Sequence, residues 1–370
     1  MAGGVGSSER VAMTTLEEWS KMVSEETTKH IPLLSILQKK GRIEFGCSGG
    51  QFRWIARIRD HQLHGFPDAK PVTVERLNTK ENAYLPWRGY YAQDTVTLRE
   101  KLEQGGEEAM VKVFASREET IRRGITRGLA GELFKDGNLA ANVADETFHG
   151  IESFMGIGAQ TDANAAAYRA TTHDDSYANL PTAIAGLDST QTRVWTPTIM
   201  STNHNDGTGQ RLWKDFADEY IRTALLRATF GTGEEDRPDL VLLTQDDYEK
   251  LLNLLDDKER IHVARGSSLG LTQLGFGNHV ELDGCAVMWD ASVPATDAED
   301  AVTVRGYGFT TSRMQLKVLG PSGQKSLFTS KVTFNDTYRA DNIFMHLLGN
   351  LKFESPRHFI KFADISGVAS

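Results

Sequence analysis

The sequence predicts an α+β fold, and three observations carry that expectation. Helical periodicity dominates residues 107–135 and returns at 213–230 and 245–255. Strand patterns then crowd the last third, from residue 285 to 353, instead of alternating with helices throughout. The third observation is Phe52-Arg53-Trp54-Ile55-Ala56-Arg57-Ile58-Arg59, where large apolar residues alternate with arginine at the period of a strand with one dry and one wet face. Helices first and strands last, joined by a long connector, favour segregated layers over a doubly wound sheet.

At 370 residues, 39% hydrophobic and 25% charged, the chain can build more than one core, and disorder is excluded as a description. A formal net charge of −9 and a pI near 5.6 leave out the basic excess of a protein that grips phosphates, so any DNA contact is expected to be weak or local. No apolar run approaches the roughly 18 residues that span a bilayer, and residues 1–10 hold no apolar signal core. The expectation is a chain kept in cytosol-like conditions with no membrane partner. Cys47 and Cys285 are far apart and match no metal or redox spacing, so both read as reduced thiols. The sequon Asn335-Asp336-Thr337 is then incidental.

In chain order, Thr15-Leu16-Glu17-Glu18 is a capping box that opens a helix to about residue 28, and Pro32 ends it. A short amphipathic piece at 33–40 stops at Gly41, and Ser48-Gly49-Gly50 releases the chain into the first long strand. Residues 51–98 read as a hairpin: a first arm from Gln51, a polar tip bearing Gly65, Pro67 and Pro71, and a return strand over 90–98. Such a hairpin is not stable alone and needs a partner surface. Along 107–135, Met110, Val113, Phe114, Ile121, Ile125, Leu129 and Leu133 recur at three- and four-residue steps, the pattern of one long amphipathic helix. Gly124, Gly128 and Gly131 weaken it by about 1 kcal/mol each, so they are expected where another backbone packs closely. Gly105-Gly106 marks a kink or the true start. A shorter helix follows at 145–155, then an aperiodic connector at 156–208. Helix 213–230, strand 239–243 and helix 245–255 form a compact α/β unit, after which strands are expected at 285–289, 301–307, 313–319, 327–338 and 342–353.

Enzymatic motifs are few and poorly placed. Gly266-Ser267-Ser268-Leu269-Gly270 has the letters of a nucleophile elbow, but glycines follow where its helix should begin, so a glycine-rich loop is the preferred reading. His61 and His64 lack a third metal ligand nearby, and His173-Asp174-Asp175 reads as a solvated acidic loop. There is no GxxxxGK[ST], no GxGxxG after a strand and no HExxH. No cofactor, metal or catalytic residue is expected. Arg53, Arg57 and Arg59 on one arm, with Arg88 near Tyr84, Trp87, Tyr90 and Tyr91 on the other, could stack bases; the acidic balance favours packing and ion pairing between subunits instead. Phe52, Trp54, Arg57, Ile58, Arg59, Trp87, Arg88 and Tyr90 are the candidate inter-subunit contacts.

This order of parts resembles the major capsid protein of tailed bacteriophages, the Hong Kong ninety-seven type of fold. The resemblance is carried by Leu33-Leu34-Ser35-Ile36-Leu37 through Gly41-Arg42, by Ser48-Gly49-Gly50 before the first strand, and by Leu133-Phe134-Lys135-Asp136-Gly137 closing the long helix. The stretch 186–195 and Asp239-Leu240-Val241-Leu242-Leu243 also fit. It implies an N-terminal arm (1–50), an extended loop (51–98), a peripheral domain with the spine helix (99–212), an axial domain (213–318) and C-terminal strands returning to the peripheral domain (319–370). It further implies copies assembling into pentamers and hexamers that close an icosahedral shell around double-stranded DNA, in a host cytoplasm, with portal, scaffolding and decoration proteins as further partners. In that family the extended loop lies over the neighbouring subunit, which implies that Phe52, Trp54 and Ile58 lack a partner within the chain. The short head implies a separate scaffolding protein or none, and Lys70 and Lys80 read as ordinary solvated lysines. An encapsulin-like shell of the same fold, enclosing enzymes, is the rival reading, with Trp19, Met22 and Val23 as the candidate cargo groove; a hydrolase using Ser268 is the second.

Overall fold

A computed structural model describes residues 31–57, 79–97, 99, 107–138, 142, 144–155, 183–184, 187–188, 197–205, 210–229, 237–257, 279–296, 302–321, 323, 326–335 and 340–364. The expected helix at 15–28, the hairpin tip with its histidines and Lys70, most of the connector, and the loop bearing Ser268 lie outside these residues.

Helix α1 (Pro32–Lys39) starts on a proline whose fixed φ suits the first turn, and Gly41, at φ 64°, turns the chain out of it into β1 (Ile43–Cys47). Next come β2 (Gln51–Arg57), β3 (Lys80–Pro86), β4 (Arg88–Thr97) and the long helix α2 (Glu107–Glu132), expected above as a spine helix and roughly 39 Å long at 1.5 Å per residue. Helix α3 (Glu152–Met155) is much shorter than the sequence reading of 145–155. Two small hairpins, β5 (Ala183–Ile184) with β6 (Leu187–Asp188) and β8 (Asn203–Asn205) with β9 (Gln210–Leu212), flank β7 (Thr198–Ser201). Helix α4 (Trp213–Ala228), β10 (Leu240–Leu243) and α5 (Gln245–Asp257) occupy the expected α/β unit. The strands β11 (Val280–Leu282), β12 (Cys285–Trp289), β13 (Thr303–Phe309), β14 (Met314–Leu319), β15 (Thr329–Asn335), β16 (Ala340–Phe353) and β17 (Ile360–Asp364) complete the chain.

Helices and two separate sheets make the fold α+β. The first sheet is built around β16, which pairs antiparallel with β14, β15 and β4, while β1 closes the edge beside β14. The second has six strands in the order β11-β12-β10-β13-β17-β7. Sheet membership does not follow chain order. Strand β14 belongs to the first sheet, whereas β7 from the connector and β17 from the C-terminal stretch join the second.

The hairpin differs from its sequence reading. The return strand of β2 is β3, in the register Phe52 to Leu85 and Trp54 to Ala83, while the expected return at 90–98 is β4, paired with Ala340–Gly349 of β16. Pro86 supplies the reason: it has no N–H to extend the β2 ladder, so pairing stops there and β4 is free to join another sheet. Gly89 lets the two backbones meet, since a Cβ there would lie 1.9 Å from the Leu347 carbonyl oxygen.

The second sheet is buried on both faces. Leu240 and Leu242 of β10 point into a core shared with the first sheet and with α1, and Val241 and Leu243 point into a second core with α4 and α5. Lys361, the one lysine among the described residues with no exposed surface, lies on β17 between Ile360 and Phe362 of the second core and therefore on the opposite face. Its Nζ lies 2.7 Å from Glu152 Oε2 of α3, and the Tyr307 hydroxyl of β13 donates to Glu152 Oε1. On the same sheet Arg305 of β13 binds Asp247 at 2.7 Å and also Asp364, which accepts from Thr202 Oγ1 at 2.6 Å. Removing one partner of a buried ion pair leaves a costly lone charge. Glu152→Ala is expected to destabilise the chain by about 3 kcal/mol, and the double variant Glu152→Met, Lys361→Met to recover most of that loss, read from denaturant unfolding midpoints.

Candidate functional site

The arm made by β2 and β3 has two faces of opposite character. Phe52, Trp54 and Ala56 with Ala83 and Leu85 are buried within the chain's own core, in the cluster that also holds Leu33, Leu34 and Leu37 of α1. The Phe52 ring lies 5.3 Å from that of Trp54 and 5.1 Å from that of Trp87. This overturns the expectation that Phe52 and Trp54 lack a partner inside the chain: α1 and the base of the arm supply it. The other face carries Ile55, 70% exposed, and Tyr84, 45% exposed, around Arg53. Arg57 ends β2, and Ile58 and Arg59 lie outside the described residues.

Arg88 and Tyr90 also turn inward. The Arg88 guanidinium donates to the Gly137 carbonyl at 2.5 Å and to that of Thr147 at 3.3 Å; burial lowers its pKa. The Tyr90 hydroxyl donates to Glu132 Oε2 at 2.5 Å and accepts from the Phe148 N–H at 2.9 Å. Burial, then the Glu132 carboxylate, pushes the phenol far above its ordinary value. Asn350 of β16 joins the same knot, donating to the Pro86 carbonyl and accepting the His149 N–H at 2.9 Å. Arm base, the end of α2 and the central strand are thus bound into one block by Asn350 and by Arg88 and Tyr90, the last two expected to face a neighbour. Their in-chain acceptors, on Gly137, Thr147, Glu132 and Pro86, were not visible in the linear pattern.

The spine helix exposes what the sequence reading expected it to cover. A Cβ added at Gly124, Gly128 or Gly131 would meet nothing within 4 Å. Gly124 and Gly128 leave an open, mostly apolar trough of about 210 Å³ whose walls include Tyr90, Tyr91, Ile125, Phe328 and Met345. Tyr91 is 71% exposed at its rim. Residue parity on β2 and the i, i+4 spacing of Gly124 and Gly128 were the sequence signals for Ile55 and for the trough.

No protein-family model and no curated protein matches this sequence. Solved structures do match its shape. The capsid asymmetric unit of cyanophage A-1(L) is similar over 91% of this chain and 93% of that chain, with a TM-score of 0.60 and 14% identity. The capsid of a native GTA particle is similar over 89% and 90%, with a TM-score of 0.53 and 8% identity. The chain has the fold of a phage capsid protein.

At the end of α2 His149 is 3% exposed, and neither ring nitrogen has a hydrogen-bond partner. Burial, then the nearby positive charge of Arg88, holds its pKa down to about 4 from 6.5. As pH falls the unfolded chain therefore takes up this proton first, so the folded state loses stability from near pH 6.5 down to about pH 4 and no further from this group. The shift corresponds to roughly 3 kcal/mol. His149→Leu is expected to flatten the slope of unfolding free energy over that window, measured by denaturant titration at several pH values.

Proposed function

We propose that this chain is the major capsid protein of a tailed bacteriophage, whose copies form pentamers and hexamers that close into an icosahedral shell around double-stranded DNA. The observation that carries this reading is the two-way coverage, 91% of this chain and 93% of the A-1(L) capsid chain, which leaves little of either fold unaccounted for. The role is structural and non-enzymatic. The net charge of −9 suits a shell that holds packaged DNA loosely, since like charge repels phosphate. Assembly in a host cytoplasm, with portal and scaffolding or decoration proteins, belongs to the same proposal.

The peripheral domain corresponds to the first sheet with α2 and the axial domain to the six-stranded sheet with α4 and α5. Ile55 and Tyr84 project from the arm, while the glycine trough recedes beside the spine helix. One chain thus carries an apolar projection and an apolar recess at different places, the surfaces a head-to-tail contact needs, and such a contact forms a ring where its rotation closes. Burying such surface contributes about 25 cal/mol per Å².

Two measurements test this. Protein expressed alone or with the phage's scaffolding protein is expected to sediment as particles or capsomer rings that electron microscopy resolves. A strict monomer under both conditions would sink the proposal, and closed particles filled with enzyme instead of DNA would favour the encapsulin-like rival. Gly128→Leu separates folding from assembly: it should raise monomer stability by roughly 0.5–1 kcal/mol through helix propensity while blocking the trough and abolishing rings. Ile55→Asp should also abolish rings, with an unchanged melting temperature.

A further inference from the structure

A second cavity, of about 620 Å³, lies away from the arm, where the two sheets meet. Lys40 and Arg42 reach it from the turn between α1 and β1, Arg237 from the approach to β10, and Arg313 from the start of β14. Four cations from segments as distant as residues 40 and 313 do not converge through local sequence pattern; the fold brings them together.

Their in-chain partners leave a positive surplus. Asp239 is saturated: it binds the Lys40 ammonium and accepts from the Thr311 N–H at 2.8 Å and the Thr311 hydroxyl at 2.7 Å. Asp283 faces Arg222 at 3.6 Å. Arg313 and Arg42 share one carboxylate, Glu354, at 3.1 and 3.9 Å. Arg237 has no ion-pair partner among the described residues, and Glu281 is the remaining acid in the wall. Four cations thus face Asp239, Glu281 and the flanking Glu354, an excess of one positive charge on a protein of net charge −9.

We propose that this cavity is a socket for a carboxylate side chain of a second copy of the chain, with Arg237 as the guanidinium that receives it. The inference rests on the shell reading above. An acidic protein presents carboxylates to its own copies, and an unpaired guanidinium takes a carboxylate through two parallel N–H donors. Rim charges of this kind govern association rate and its salt dependence more than fold stability.

The test compares wild type, Arg237→Glu and Arg237→Lys for melting temperature, for particle or ring formation by sedimentation at about 50 and 500 mM NaCl, and for binding of a short DNA duplex. Expected are equal melting temperatures, at least about a tenfold loss of assembled material for Arg237→Glu at low salt, and partial retention for Arg237→Lys. Wild-type assembly should weaken at high salt. Arg237→Glu assembling as wild type overturns the socket, and so does a variant that loses duplex binding while assembling normally, since the cavity would then be a phosphate site. Wild type that forms no particle or ring under any condition sinks the shell reading and the socket with it.

Discussion

The six-stranded sheet covered on both faces is the constraint on which the rest of the structure depends. Every residue of Leu240–Leu243 is buried, because alternate side chains feed two different cores. A strand so placed must be apolar at every position, which is why it reads as a continuous run and not as an alternation. The sheet cannot slip in register without exchanging the contents of both cores. Lys361 makes the point in charge: one position along, its ammonium would enter the apolar core of Trp213 and Phe362 instead of meeting Glu152.

Around that frame the first sheet depends on β16, long enough at 14 residues to serve β4 along one side and β14 and β15 along the other. Arg88, Tyr90 and Asn350 then tie β4 and β16 to the end of the spine helix through buried hydrogen bonds. Among the described residues, Ile55 and Tyr84 on the arm, Tyr91 at the trough and the glycine face of α2 stay outward, as do Leu226, Trp289 and Leu348 elsewhere. The glycines weaken their own helix and fill no core. Their physical effect is to keep space open, and space on an isolated chain has value only if something else enters it.

Much of the fold was legible. The spine helix, α1, α4, β10, α5, β12 and β14 stand within a few residues of their predicted places, because each carries a strong period or a proline or glycine boundary. Strands β7 and β17 were missed, since four or five residues beside loops carry too little period to be told from connector. The pairing of β4 was misread because strand pattern says that a segment needs a partner and not which one; the missing N–H of Pro86 was the only local clue. The candidate contacts suffered from the same ambiguity. Phe52, Trp54, Trp87, Arg88 and Tyr90 do need partners, and the chain itself supplies them.

The sequence by itself determined the class of the fold and the sites of its main helices and strands, with the period that gives each two unlike faces, because these follow from spacing and local conformational preference. Only the tertiary structure decided which dry face meets which. It placed β7 and β17 beside β13, enclosed Phe52 and Trp54, opened the face of Gly124 and Gly128, and gathered Lys40, Arg42, Arg237 and Arg313 around one cavity. Burial and charge convergence are properties of three-dimensional neighbours hundreds of residues apart, and no local pattern encodes them.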